Sequence, residues 1–485
     1  MTTMNRPLIP IPSRNLKFMK KRVLIIGWDC AAPELVFDAF KDDMPNTRRL
    51  MEEGIYGELE STIPPITVPA WMCMMTSRDP GELGVYGFRN RKDYSYDAMT
   101  IANSHTVKVP TLWDLLGKTK KKSIVLGVPL TYPAKPFQGW MVTSFLTPNR
   151  NSQWTFPRRL TREIDQAASN YMIDIPNFRT DRRAELEQQL LKMTAERFKL
   201  ARHLLKTKDW DFFAMVEMGS DRLHHAFWRF WDETHRKYEP NSSFSKTMRN
   251  YYRTLDAELG ETLACVDDDT TIMVVSDHGA KRMDGGICVN EWLQQHGYLT
   301  LKAEPQGITQ WTADLVDWKK TKAWGEGGYY ARIFINVEGR EPQGIVSAQD
   351  YESIRDELKA RLEAIVDEEG HHINTRVFKP EETYRECRNI PPDLIVYFGD
   401  LFWRSVGSVG YNSIYTYEND TGPDDCNHAE MGIFILKSAS YSSVGAISRS
   451  RQTGKMPTKR IYDIAPTVLD EFGIDIPSTM QGKPI

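Results

Sequence analysis

The chain has 485 residues, a formal net charge of −3 and nearly equal numbers of basic (62) and acidic (65) side chains. That balance excludes the basic footprint of a protein that binds nucleic acid polymers or anionic membranes. No apolar window approaches the ~20 residues that cross a bilayer, and the length calls for either a large α/β domain with insertions or two domains.

The first apolar run, residues 22–28, ends on Asp29 instead of a small-residue cleavage site, so it reads as a buried strand and not as a secretory leader. Short β-branched runs follow at 122–128, 211–216, 271–276, 332–337, 394–398 and 432–436. Between them the periodicity predicts helices over 46–53, 111–117, 182–206, 247–265 and 351–367. This alternation predicts an α/β fold with a doubly wound, mostly parallel sheet and helices on both faces.

Two regions break the rhythm. Residues 89–177 are rich in Pro, aromatic and polar residues, while 303–423 carry their own strand, helix, strand pattern and a long polar loop. In open α/β sheets the ligand site lies beyond the carboxyl ends of the strands, where insertions form lids. We therefore read 1–485 as one domain, with 303–423 as an inserted cap and 89–177 as a smaller insertion. The six cysteines, at 30, 73, 265, 288, 387 and 426, form no close pair, which fits reduced thiols in the cytoplasm.

The chemical signal is the placement of acids and histidines at strand ends. Asp29 follows the first strand, Asp277 and His278 follow the run at 271–276, and His428 precedes the run at 432–436. A charged pair ending a buried strand is costly unless a cation or hydrogen bonds match it. After the strand at 211–216, Asp221 and His225 stand at i and i+4, on one face of any helix that begins there, with His224 competing for the same role. Carboxylate oxygen and imidazole nitrogen at that spacing suit zinc or another borderline divalent cation. Thr67, in the Pro-rich turn Pro64-Pro65-Ile66-Thr67-Val68-Pro69, reads as a nucleophile; Thr62 and Thr76 are equally eligible on position alone.

Taken in order, these segments resemble the alkaline phosphatase superfamily, and within it the type I phosphodiesterase and nucleotide pyrophosphatase family. The resemblance rests on Val23 to Asp29, Thr67-Val68-Pro69-Ala70-Trp71 with Thr76 to Gly81 behind it, Asp221-Arg222-Leu223-His224-His225, Ser276-Asp277-His278-Gly279, Asn336 to Pro342, Asn427-His428, and Tyr462 to Leu469. It implies a catalytic domain with two divalent metal ions, zinc in the first instance and manganese or iron as alternatives. One ion would be held by Asp29, Thr67, Asp277 and His278, the other by Asp221, His225 and His428, which places His225 ahead of His224. The implied activity is hydrolysis of phosphate esters, foremost phosphodiesters, through a phosphothreonine on Thr67. The substrate would be a small molecule of nucleotide or nucleotide-sugar type, with no nucleic acid polymer as partner.

The sequence departs from the family in one stretch. Where family members commonly read Pro-Asn-His after the nucleophile, this chain has Pro69-Ala70-Trp71, and the phosphate-clamping Asn is not cleanly matched. Arg89 and Asn90 are the candidates for substrate binding, because either can donate to a phosphoryl oxygen. Trp71 is expected to pack beneath the loop. Phosphomonoesters, phosphonates and a non-catalytic metal-binding interaction protein are the alternative functions.

Overall fold

The computed structural model describes residues 20–438 and 457–485. Strand β1 (Val23–Trp28) is buried along its whole length and lies inside a nine-stranded sheet. The other strands, in chain order, are β2 (Ile55–Glu60), β3 (Ser123–Leu126), β4 (Gly139–Val142), β5 (Thr155–Phe156), β6 (Phe212–Glu217), β7 (Thr271–Val275), β8 (Met431–Lys437) and β9 (Lys459–Arg460). Their spatial order is β9-β2-β8-β7-β1-β6-β3-β4-β5. Only β5 and β8 run against the rest. The central strands are continuous apolar runs because helices cover both faces.

Register decides where the chemistry appears. Trp28 pairs with Glu217 and Gly27 with Val275, so β1, β6 and β7 end side by side and release Asp29, Met218 and Ser276 at one edge. The antiparallel β8 starts at that edge, since Phe434 pairs with Val275. His428, three residues before β8, thereby reaches the same place.

The segment expected to be a proline-rigidified turn is instead the start of helix α1 (Thr67–Thr76), all of it buried. Pro69 is tolerated because the first turn of a helix has no intrahelical acceptor for its amides. Other helices flank the sheet: α2 (Arg183–Thr207), α3 (Gly219–Phe227) and α4 (Thr247–Leu263) pack together. Strands β2 and β4 were not anticipated: β2 is half-buried with a glycine at 57, and β4 is short, so neither makes a clear apolar run. The helix expected over 351–367 ends at Glu363, where the chain turns into a Val366–His372 bridge.

A second sheet of four antiparallel strands follows the order Ala323–Glu326, Ala331–Ile335, Leu394–Tyr397, Arg376–Phe378. It has a core of its own, built on Trp292, Trp318, Trp324, Phe334 and Leu358. A third cluster, with Ile66, Tyr86, Tyr330, Tyr384 and Tyr397, joins it to the loop that leads into α1. There Tyr384 donates its hydroxyl to the Ile63 carbonyl at 2.6 Å, and Tyr330 donates to the Tyr86 carbonyl. Trp28, Trp71, Trp154, Trp210, Trp292 and Trp324 are all fully buried, so much of the chain's tryptophan serves packing. Among the described residues no helix is long and apolar enough to cross a membrane.

Candidate metal centre

Two clusters of acids and histidines meet at the carboxyl edge of the sheet. In the first, Asp29, Asp277 and His278 converge; His278 Nε2 lies 3.2 Å from Asp277 Oδ2 and 3.8 Å from Asp29 Oδ1. In the second, Asp221 and His225 share a face of α3 and meet His428, which is carried by a short strand, Cys426–Ala429, paired with Gly279–Arg282. Asp221 Oδ1 lies 3.3 Å from His225 Nε2 and 3.6 Å from His428 Nε2. The two clusters touch through His278 and His428, whose rings stack at 3.9 Å and 18°. Thr67 Oγ1 lies 3.2 Å from His278 Nε2, at the amino end of α1, where free backbone amides favour negative charge. His224 points elsewhere, with Nε2 3.0 Å from the Tyr252 hydroxyl.

The surrounding chain fixes how each candidate ligand is presented. The Nδ1 of His278 faces the Gly279 carbonyl at 3.0 Å, that of His428 the Pro65 carbonyl at 2.8 Å, and that of His225 Asp424 Oδ1 at 2.6 Å. These partners only accept, so each Nδ1 carries a proton and each Nε2 turns toward the clusters. The carboxylates follow a matching rule. Asp29 Oδ2 accepts from the Trp71 indole at 2.6 Å, Asp221 Oδ2 from Arg222 at 2.5 Å, and Asp277 Oδ1 from the Cys30 amide at 3.2 Å.

The other oxygen of each is left over. Asp29 Oδ1, Asp221 Oδ1, Asp277 Oδ2, His225 Nε2 and His428 Nε2 are all buried without a hydrogen-bond partner among the described residues. An orphaned buried polar atom costs ~1–3 kcal/mol, more when charged, so five converging on two points favour cations there. Three carboxylates, three imidazoles and one hydroxyl are a donor set suited to two borderline divalent ions. Without them the charges interfere. Burial and the neighbouring Asp277 and Asp221 push the Asp29 carboxyl well up, and burial with Asp221 does the same to Asp277. Burial and the adjacent His428 push His278 down. Burial works against an ionised Asp221 too, but His225 and Arg222 outweigh it and hold that carboxyl well below its ordinary value.

Two supporting residues were missed in the sequence. Trp71 does pack beneath the loop, and it also donates to Asp29. Its ring fills the space over Gly27, where a Cβ would come within 2.3 Å of the indole. The glycine inside an otherwise bulky central strand was the available signal for that close approach. Asp424 orients His225 and also binds Arg179 Nε at 3.0 Å and Arg404 Nη1 at 2.7 Å. Burial would raise its carboxyl, but His225 and the two guanidiniums hold it well below the usual range. Neither Arg89 nor Asn90 bonds to a cluster residue. Arg89 is exposed on the short strand Arg89–Arg91; the Asn90 amide closes its own turn, accepting from Tyr86 N at 2.7 Å and donating to the Gly87 carbonyl at 3.0 Å.

A doubly wound sheet thus gathers two acid–histidine clusters beside Thr67, the first residue of α1; the fold is that of the alkaline phosphatase superfamily, and the chain is a hydrolase acting on phosphoric ester bonds. The chain belongs to the type I phosphodiesterase / nucleotide pyrophosphatase family, whose model matches residues 23–424, and the family is metal-dependent. No curated protein matches the chain by sequence. Among solved structures, phosphonoacetate hydrolase from Sinorhizobium meliloti 1021 with phosphonoacetate bound aligns with a TM-score of 0.59 at 14% identity, covering 92% of this chain and 94% of that one. Murine ectonucleotide pyrophosphatase / phosphodiesterase 5, in an inactive form with AMP, aligns at 0.52 and 11% identity, covering 95% and 97%. The human counterpart aligns at 0.52 and 13%, covering 96% and 97%. At these identities the likeness is one of fold.

Proposed function

We propose that this protein hydrolyses phosphodiesters in two steps through a phosphothreonine formed on Thr67. The observation that carries this reading is the Thr67 hydroxyl, 3.2 Å from His278, beside a ring stack that joins two clusters of orphaned ligand atoms. Asp29, Asp277, His278 and Thr67 would hold one cation, and Asp221, His225 and His428 the other. Bound there, divalent ions, zinc in our reading with manganese or iron as alternatives, would acidify a hydroxyl and stabilise a departing oxygen. Thr67 Oγ forms a bond to phosphorus as the ester P–O bond breaks, and the leaving oxygen departs with the bonding pair. Water then attacks the same phosphorus, breaks the threonine ester and restores Thr67. The amino end of α1 and the Arg222 side chain that fixes Asp221 hold this constellation still, so little reorganisation opposes the displacement.

The segment 303–423, anchored to the loop before α1 by Tyr384, serves in this reading as a cap that shapes the substrate pocket, with 89–177 as a smaller insertion. The substrate class is a small phosphate ester of nucleotide or nucleotide-sugar type. The cytoplasm is the proposed location, supported by six cysteines that are all free. Rates on a monoester, a diester and a phosphonate with one shared aryl leaving group test the function. Preference for the diester is expected; a monoester or phosphonate preference above about tenfold, or ~1.4 kcal/mol in barrier, would overturn it. Absence of bound metal together with no turnover of any ester would favour a binding protein instead.

A further inference from the structure

Beyond the two clusters, the stack continues. Tyr329, from the turn between the first two strands of the four-stranded sheet, lies on His428 at 3.9 Å and 20° and is 5.2 Å from His225. His278 lies on His428 at the same separation. Two rings at that distance cannot share one face, so Tyr329 and His278 flank His428 on opposite sides. The result is an ordered row: Thr67, His278, His428, Tyr329 and then Arg179, whose Nη2 donates to the Tyr329 hydroxyl at 2.5 Å. With Thr67 attacking from one end, an in-line displacement sends the leaving group toward the other.

The far end of the row is short of negative charge. Among the described residues Arg179 and Arg404 have one carboxylate between them within 4 Å, Asp424, which is also shared with His225. Arg179 places Nε on Asp424 and Nη2 on Tyr329, and among the described residues its Nη1 has no hydrogen-bond partner, in a side chain 20% exposed. Because Arg179 donates to the Tyr329 oxygen, the phenolic proton is left to donate outward. Asn427 holds the Tyr329 backbone carbonyl at 2.9 Å and so fixes the turn that carries the ring. An edge of two adjacent donors beside two guanidiniums that share a single carboxylate is built for an oxyanion.

We infer that Tyr329 and Arg179 form a leaving-group subsite for an oxyanion, so that the preferred substrates are phosphodiesters whose leaving alcohol carries a second negative charge. This rests on the phosphodiesterase reading with Thr67 as nucleophile. The subsite occupies the side opposite the nucleophile and does not involve Arg89 or Asn90.

Two esters with the same retained group separate these ideas: methyl 4-nitrophenyl phosphate, and its counterpart with a carboxylate beside the nitro group. On the metal-loaded protein, kcat/KM is expected to favour the carboxylated ester by about ten- to a hundredfold, the range of a hydrogen bond to a charged group. Tyr329→Phe and Arg179→Gln should each shrink that ratio several-fold, and a ratio cancels general losses of rate. Calorimetry with the metal-loaded Thr67→Ala protein should show the same preference in Kd, a readout that needs no turnover. Equal treatment of the two esters by the parent protein, or an undiminished preference in both variants, overturns the inference and leaves the phosphodiesterase reading standing. Failure to hydrolyse either ester, with no binding by the Thr67→Ala protein, sinks both. Should a variant fold poorly, the ratio and the Kd values obtained without it decide.

Discussion

The Trp71 indole donates a 2.6 Å hydrogen bond to Asp29 Oδ2 and leaves Oδ1 as the only oxygen of that carboxylate facing the first cluster. Trp71→Phe removes the donor, and also the outer indole atoms Cη2 and Cζ3 that lie over Gly27. Because groups that orient metal ligands typically set 10–100-fold of affinity, Trp71→Phe should weaken metal binding by about that factor, together with a loss of folding stability from the volume it empties. Competition against a chelator measures it, and an unchanged affinity would show that the indole only fills space.

Gly27 is the other half of that contact. A Cβ there would lie 2.3 Å from the indole and 3.0 Å from the Met215 carbonyl. Gly27→Ala should therefore cost ~1–3 kcal/mol, the usual range for overpacking a core. Urea denaturation reads the loss directly, and a stability equal to that of the parent would mean that β1 and α1 separate more easily than the packing implies.

Replacing Thr67 removes the proposed nucleophile but only one of the seven proposed ligands. Thr67→Ala should lower kcat/KM by three orders of magnitude or more, as losses of covalent nucleophiles roughly do, while bound metal stays near its original content. Substantial remaining turnover would sink the phosphothreonine step.

Neighbouring histidines on α3 should behave differently. His225 meets Asp221 and His428, whereas His224, turned about 100° around the helix, meets Tyr252. His225→Gln should release the ion of the second cluster and abolish most activity. His224→Gln should retain both ions and lose stability only, through its buried contact with Tyr252. Metal analysis of the two purified variants decides the matter; equal loss from both would break the assignment.

The pH dependence follows from the raised carboxyls of Asp29 and Asp277. Without metal, the fold favours their neutral forms. Their contribution to stability is then full below about pH 3.9, the ordinary value for Asp, and is lost as pH rises through the raised values. A bound cation takes the ionised forms and competes with protons. The increase in Tm produced by metal over chelator should thus be larger at pH 8 than at pH 5. Thermal melts at both values test this, and a greater metal effect at pH 5 would contradict it.

The candidate ligand positions were legible because each is tied by the chain itself to a readable element. Asp29 and Asp277 end unbroken apolar strands, His278 is next in line, and Asp221 and His225 are one helical turn apart. Local sequence thus determined the sheet class and offered the candidate ligands, while the family resemblance chose His225 over His224 and Thr67 over Thr62 and Thr76; reading Thr67 as part of a turn missed the helix that begins there. What local sequence could not carry is any relation between distant side chains: Trp71 on Asp29 spans 42 residues, and Asp424 on His225 spans 199. Nor could it say that Asn90 closes its own turn or that Tyr329 lies on His428. Those outcomes depend on strand register and on where the cap meets the loop before α1. Propensity and periodicity constrain a residue's backbone and its buried face, but the partner of a buried polar atom is set by whatever the packed fold brings within 3 Å, and only the tertiary structure decides that.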